Sequence, residues 1–397
     1  MKSIKSNLLT INGGSSSIKF ALYEIEVSLK QLFYGAIENI GTKKAVLNFI
    51  DVINKKKNTI NINSVNYDES VNLLIDWLAL QDSFTSIKAI GHRIVYGMQH
   101  TAPEKITPKL LDELKQICPY DPEHLPGEIK LIEIFAKRYP ALVQVACFDT
   151  SFHSTMPLVA KLLPIPRKYF AMGIQRYGFH GLSYEYLLEE LKNIAGNEVA
   201  QGKIILAHLG NGASLAAVKE GKSIDTSMGF TPTSGLPMST RTGDLDPGVA
   251  WYLMQVENFT PQQFNHLINH ESGLLGISGT RSDMRELIKN KDTDPPATEA
   301  FDLFCYQTKK FIGAYAAALQ GLDTLIFSGG IGENSPDVRR QICGGLEFLG
   351  IEINEIKNMN NEPIISSDAS KVTVRVIKTN EELMIAKLVY NVLNNSN

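Results

Sequence analysis

Ile204-Ile205-Leu206-Ala207-His208-Leu209-Gly210-Asn211-Gly212-Ala213-Ser214-Leu215-Ala216-Ala217-Val218 reads as an apolar run, a Gly/Asn turn and a second apolar run. That is the pattern of two strands joined by a tight turn. The plan also opens the chain: Leu8-Leu9-Thr10-Ile11 passes through Asn12-Gly13-Gly14-Ser15-Ser16-Ser17 into Ile18-Lys19-Phe20-Ala21-Leu22-Tyr23. The echo predicts two similar halves. A duplicated α/β domain with a cleft between the copies is one architecture that produces it, and clefts at domain interfaces are favoured ligand sites.

Length agrees with two domains, because 397 residues, 44% of them hydrophobic, are enough for two cores. Basic and acidic residues number 39 and 42 and are mixed along the chain, for a net charge of -3. No basic surface for a nucleic-acid backbone is implied. Cys118, Cys147, Cys305 and Cys343 are widely spaced, with no C-x-x-C pair, and read as reduced thiols of a cytoplasmic protein. No apolar stretch is long enough for a signal peptide or a membrane span.

Between the two echoing segments, further elements can be placed. Val46 to Ile53 and Thr59 to Val65 flank the polar turn Asn54-Lys55-Lys56-Lys57-Asn58 and predict a second hairpin. Thr107-Pro108 caps a helix carrying Leu110, Leu111, Leu114 and Ile117. A helix from Ser183 to Gly196 and a longer one from about Thr298 to Leu319, stopped by Gly321, follow from their apolar spacing. Leu142 to Phe148, Ile204 to Ala207 and Leu325 to Phe327 are buried-strand candidates.

Three glycine-rich segments are shaped for anions, because small residues let backbone N–H groups approach a phosphate. They are Asn12 to Lys19, His208 to Gly212, and Ser328-Gly329-Gly330-Ile331-Gly332-Glu333-Asn334-Ser335-Pro336. In the third, Ser335 and Pro336 would open a helix. None has the P-loop spacing, and each alone is equally a tight turn. Together they suggest a nucleotide held between two domains.

Charged candidates accompany them. The loop Thr231 to Gly248 holds Arg241, whose planar fork suits a transferring phosphoryl group or else pairs with Asp244 or Asp246. Arg93, within Gly91-His92-Arg93-Ile94-Val95, is either a surface-facing strand position or a carboxylate anchor. Asp149 ends an apolar strand, where α/β sheets place reacting groups, or caps a turn. His180 is either a donor to developing charge or a structural histidine. Thr379 and Glu382 fit a capping box, which leaves Glu381 without a necessary structural task. The scattered histidines give no zinc spacing, so Mg2+ carried by phosphates and one or two acids is the metal to expect.

Taken together these segments resemble the acetate and propionate kinase family, within the actin, sugar-kinase and heat-shock ATPase superfamily. Tyr177-Gly-Phe-His180-Gly-Leu-Ser183, Phe148-Asp149-Thr150, Ser239-Thr-Arg241-Thr-Gly-Asp244 and Thr379-Asn-Glu381-Glu382 join the segments above in family order. The resemblance implies two actin-like ATPase domains of the ribonuclease H-like type: residues 1–152 with a returning helix at 379–397, and residues 153–378. It further implies that Asn12 and Glu381 hold Mg2+ or Mn2+ and that Ser17 and Lys19 face the phosphates. ATP would be surrounded by His208, Leu209, Gly210, Asn211 and Gly212, by Asp283, Met284 and Arg285, and by Gly329, Gly330, Ile331, Gly332 and Glu333. Arg93 would bind the substrate carboxylate, Arg241 and His180 would stabilise the transition state, and Asp149 would be essential. Val95, His124, Phe179 and Pro232 would line the acyl pocket.

The activity so implied is reversible phosphoryl transfer between ATP and acetate, giving acetyl phosphate and ADP, with propionate as the nearest rival and a cytoplasmic homodimer as the assembly. An ionised carboxylate is already a nucleophile, so positioning and charge neutralisation are the main tasks. Neither nucleic acid nor membrane is expected as a partner. A nucleotide-driven clamp would keep the phosphate loops without Arg93, Arg241 and His180, and a sugar kinase would need a carboxylate base at the hydroxyl.

Three positions depart from the family pattern. Asp121-Pro122-Glu123-His124-Leu125-Pro126 stands where the family reads Ala-Pro-Leu-His-Asn-Pro, so Glu123 replaces a pocket leucine. Either Glu123 turns away or the substrate is not plain acetate. Tyr96 and Met98 occupy places where the family commonly has histidine and glycine.

Overall fold

The computed structural model describes residues 6–14, 17–62 and 66–395. Ser15 and Ser16 of the opening turn, and Asn63, Ser64 and Val65 of the second hairpin, lie outside these residues. The chain forms two compact units: Met1–Ser151 with Asn380–Asn397, and Phe152–Thr379. Both are α/β.

In the first unit, β1 (Asn7–Gly13) and β2 (Ser17–Ile25) form the expected hairpin, joined by β3 (Leu29–Glu38), β4 (Val46–Asp51), β5 (Lys56–Asn61), β6 (Ile87–Ile94), β7 (Glu104–Lys105) and β8 (Val143–Phe148). Their order is β5-β4-β3-β2-β1-β6-β8-β7. β1 is buried along its whole length, as a central strand covered on both faces must be. The second hairpin turns earlier than expected: Asp51 pairs with Lys56, and Lys55 takes φ +53. The lysines of positions 56 and 57 therefore lie on a strand. Leu9, Ile11, Phe20, Leu74, Ile75, Leu131 and Phe135 fill the core beneath this sheet, and each such side chain contributes about 1.5–3 kcal/mol by burial.

The second unit contains β9 (Lys203–Leu209), β10 (Ala213–Lys219), β11 (Lys222–Thr226), β12 (Thr324–Ser328) and β13 (Thr373–Val376), in the order β11-β10-β9-β12-β13. β9 pairs antiparallel with β10 and parallel with β12, as β1 pairs antiparallel with β2 and parallel with β6. The echo in sequence is thus a repeat of topology: β3-β2-β1-β6-β8 and β11-β10-β9-β12-β13 run in the same senses.

Helix boundaries and caps differ from expectation in five places. The helix placed from Ser183 begins at Gly181, because His180 takes a left-handed φ of 61° and starts it. The long helix begins at Pro295, since proline suits the first helical position. Its left-handed end residue is Gln320, one before Gly321. The expected loop after β12 is itself helical at Gly329–Asn334, followed by Pro336–Cys343 with Ser335 between them. The last helix, Glu381–Asn394, is capped by Asn380, whose side chain accepts from the Leu383 N–H; Thr379 instead bonds Ser183 Oγ at 2.8 Å. The capping box is therefore absent.

The last helix belongs to the first unit and lies against β6 at Gly91, where a Cβ would come within 2.4 Å of Ile385 and 2.6 Å of Val389. Only glycine lets helix and strand approach so closely. Among the described residues, no helix is long and apolar enough to cross a membrane. The four cysteines are free thiols.

Candidate active site

In the first unit, the ends of β1, β6 and β8 and the start of the last helix bring four candidates together. Arg93 on β6 donates from Nε and Nη2 to Asp149 Oδ2, at 3.0 and 2.5 Å, and from Nη1 to Asn12 Oδ1 at 3.1 Å. Asn12 Nδ2 donates to Glu381 Oε2 at 3.2 Å. Arg93 is therefore not on the surface: its side chain is 16% exposed, and that of Asp149 is fully buried. Burial works against the guanidinium's charge, but Asp149 and Glu381 outweigh it and push its pKa above the ordinary arginine value.

Lys19 is the Cα partner of Asn12 across the hairpin and is exposed, while Gly14 N–H donates to Ser17 O at 2.7 Å to close the turn. Glu382, next to Glu381, is half-buried, with its buried Oε1 lacking a hydrogen-bond partner, and burial raises its pKa against the pull of Lys19.

Behind Arg93 lies an acid that the sequence did not single out. Glu128 is buried in the helix Leu125–Arg138 and accepts the Val95 N–H on both oxygens, at 3.2 and 3.1 Å. Burial, then Asp121, raises its pKa well above the ordinary value, with Arg93 opposing. Asp121 is also buried and meets His124 Nδ1 at 2.8 Å. Glu123 is half-buried, and His124 Nδ1 pairs with Asp121. Tyr96 is fully buried and stacks on Tyr120 at 6.3 Å. Met98 takes φ +46, a left-handed conformation that glycine adopts at far lower cost.

In the second unit, β9, β10 and the start of the helix Gly181–Ala195 assemble a second group. His180 and His208 stack with ring centroids 4.4 Å apart. His180 Nδ1 lies 2.8 Å from Ser214 Oγ, and His208 Nδ1 lies 2.8 Å from Ser183 Oγ. A Cβ on Gly212 would stand 3.2 Å from His180 Nε2 and 3.8 Å from Arg241 Nη1, so both cationic or donor groups face the same small space. Arg241 Nη1 donates to Pro232 O at 3.1 Å, while Asp244 accepts Gly235 N–H and Asp246 accepts Gly248 N–H. The expected alternative pairing of Arg241 with those acids is thus replaced by carbonyl anchoring of the arginine and backbone capping by the acids.

Phe179 is buried, and its carbonyl accepts from His153 Nε2 at 3.1 Å. Gly210 N–H donates to Gly212 O at 3.0 Å, Leu209 is buried, and Asn211 is exposed. Gly329 has φ +75, and a Cβ there would be 2.6 Å from Leu209 O, which ties the third glycine segment to the second. Gly330 has open space around its Cα, and Ile331 is partly exposed.

Glu333 Oε1 accepts from Gly329 N–H at 3.0 Å and Thr379 N–H at 3.1 Å, so it braces the glycine turn. Arg339, fully buried, grips the same turn through Gly332 O at 2.8 Å and is itself held by Asn358 and Asn361. Burial lowers its pKa to about 10. Asp283 caps the helix Met284–Asn290; Met284 is buried, and Arg285 is exposed beside Asp283.

Several of these residues escaped the sequence reading. Ser214 had a signal, since it is the Cα partner of His208 in the echoing hairpin. Glu128 and Arg339 had none stronger than a charge among apolar helix positions.

Comparison with known proteins agrees with this arrangement. Residues 7–387 match the model of the acetokinase family. The acetate kinase of Rickettsia akari (strain Hartford) is 41% identical over 393 residues, covering 98% of this chain and all of that one. The crystal structure of Porphyromonas gingivalis acetate kinase superposes with a TM-score of 0.86 at 36% identity, covering 98% of this chain and all of that one. A propionate kinase from Francisella tularensis subsp. tularensis SCHU S4 gives 0.90 at 38% identity, over 96% and 98%. The architecture is the two-domain actin-like ATPase fold.

Proposed function

The chain belongs to the acetokinase family, and on that premise we propose that it moves the γ-phosphoryl group of ATP to the carboxylate of acetate, reversibly, giving acetyl phosphate and ADP. Propionate is the second substrate to expect, since a single methylene is discriminated only modestly and a propionate kinase is among the similar structures. The observation that carries the reading is the space beside Gly212 faced by His180 Nε2 and Arg241 Nη1. A donor and a fixed cation there suit the charge that develops on a transferring phosphoryl group.

The contacts and the family likeness support the following roles. Arg93 receives the substrate carboxylate, and Asp149 orients Arg93 rather than acting as a base. Arg241 neutralises the charge of the phosphoryl oxygens, and His180 donates a hydrogen bond to them. Val95, His124, Phe179 and Pro232 contact the acyl group. The turns His208–Gly212 and Gly329–Glu333, with Ser17, Lys19 and Asp283–Arg285, serve ATP. Glu333 does so by shaping its own turn.

Asn12 and Glu381 offer hard oxygens, the donor type Mg2+ takes, with Mn2+ as a substitute. Among the described residues there is no group of three or more His, Cys, Asp or Glu suited to a metal. A cation held here would therefore share its shell with phosphate oxygens and water, and would neutralise the phosphate charge.

Trapping of acyl phosphate as hydroxamate, with acetate, propionate and butyrate and with ATP or pyrophosphate as donor, tests the reading. Acetyl phosphate formation from ATP is expected; no acyl phosphate from any acid would overturn it. Arg241→Ala should abolish turnover while ATP binding persists. We further place the protein in the cytoplasm as a homodimer. The exposed side chains of Trp251, Tyr252 and Val256 on the helix Pro247–Val256 are a candidate contact, and Trp251→Lys should yield monomers in sedimentation.

A further inference from the structure

We propose that Tyr184 and Ser214 are positioning residues for His180, forming a tyrosine-to-serine-to-imidazole chain that keeps the ring neutral with its proton on Nε2. The proposal rests on the phosphoryl-transfer reading above.

The geometry begins with two adjacent helical residues. Ser183 and Tyr184 lie in the first turn of the helix Gly181–Ala195, and both are fully buried. Ser183 Oγ meets His208 Nδ1 and Thr379 Oγ1, each at 2.8 Å. The Tyr184 hydroxyl makes a short hydrogen bond to Ser214 Oγ, which lies 2.8 Å from His180 Nδ1. His208 and Ser214 are Cα partners on β9 and β10. One helical turn thus reaches both imidazoles, each through a serine hydroxyl at Nδ1.

The direction of the proton chain follows from the groups. A phenol is a stronger acid and a poorer acceptor than an aliphatic hydroxyl, so Tyr184 donates to Ser214. The single Ser214 proton then points to Nδ1, the remaining acceptor. Receiving one hydrogen bond strengthens the serine as a donor of the next. An Nδ1 that accepts leaves the neutral ring's only proton on Nε2, the nitrogen that faces the space beside Gly212 with Arg241. The stacked His208 ring, 4.4 Å away, reinforces this, because two imidazolium charges at that separation repel. His180 therefore offers a fixed N–H to phosphoryl oxygen at neutral pH without first acquiring a proton, while Arg241 supplies the charge.

The test uses full-length protein labelled with 15N-histidine, with the His180 signals assigned by their loss in His180→Gln. In the wild type the long-range 1H–15N pattern should show His180 protonated at Nε2. Tyr184→Phe, which removes one oxygen, should broaden or mix the tautomers and lower kcat about tenfold, with both KM values within twofold of wild type. Ser214→Ala should do the same. Wild-type His180 protonated at Nδ1, or folded Tyr184→Phe with unaltered kcat, would overturn the proposal. If the variants do not fold, the wild-type spectrum decides it. Failure of the wild type to make acyl phosphate would instead count against the functional reading, and leave the tautomer measurement intact.

Discussion

Arg93 meets Asp149 with two nitrogens on one oxygen: Nε and Nη2 both donate to Oδ2, at 3.0 and 2.5 Å. The contact joins β6 to the residue just past β8, and Asn12 takes the guanidinium's third contact. The arginine is thereby fixed by protein groups before any carboxylate arrives, which limits the entropy lost on binding.

Asp149→Asn should leave the buried guanidinium without its nearest counter-charge. Breaking such a pair from one side costs about 3–5 kcal/mol, measurable as a lower urea midpoint. The KM for acetate should rise at the same time, since Arg93 loses its orientation.

Glu128 sets a pH dependence. A carboxyl raised in the folded state lends stability below its unfolded value near 4.5 that is lost as pH rises toward the folded value. Urea midpoints should therefore decline from about pH 4.5 upward and level off beyond the folded pKa. Glu128→Gln keeps an acceptor for the Val95 amide and should flatten that decline.

Arg339→Met should strand the carbonyls of Gly332 and Asn358 and the Asn361 amide oxygen that the guanidinium now serves. A loss of about 3 kcal/mol is expected. The KM for ATP should rise more than the KM for acetate, because the glycine turn at residues 329–333 is the part released.

Gly91→Ala pushes a methyl group into Ile385 and Val389. Overpacking of this kind costs about 1–3 kcal/mol. Faster amide exchange confined to the helix Glu381–Asn394 is the expected signature.

Met98→Gly should act in the opposite sense. Relief of the left-handed φ of +46 is worth about 1 kcal/mol, and thermal unfolding should shift upward.

How much of this was legible beforehand depended on distance along the chain. The hairpin echo was readable because strand, turn and strand are contiguous, and it led to the repeated sheet order. Arg93, Asp149, His180 and Arg241 could be named from local pattern and family likeness, but whether Arg93 faced solvent could not, since Asp149 is 56 residues away. Glu128 meets Val95 at a separation of 33, Tyr184 meets Ser214 at 30 and Arg339 meets Asn358 at 19. No local spacing encodes such pairs. The capping error near Thr379 had another cause: two adjacent residues can both cap, and the hydroxyl of Thr379 was claimed by Ser183.

The split composition of the first unit bears on how the protein is made. A ribosome delivers β1 to β8 first, yet the helix that covers β6 at Gly91 and carries Glu381 emerges after every residue of the second unit. The second unit, continuous in sequence, can close while synthesis is still under way. The first must wait with one face of its sheet uncovered, so a stretch translated after the second unit both completes its packing and installs the proposed cation ligand.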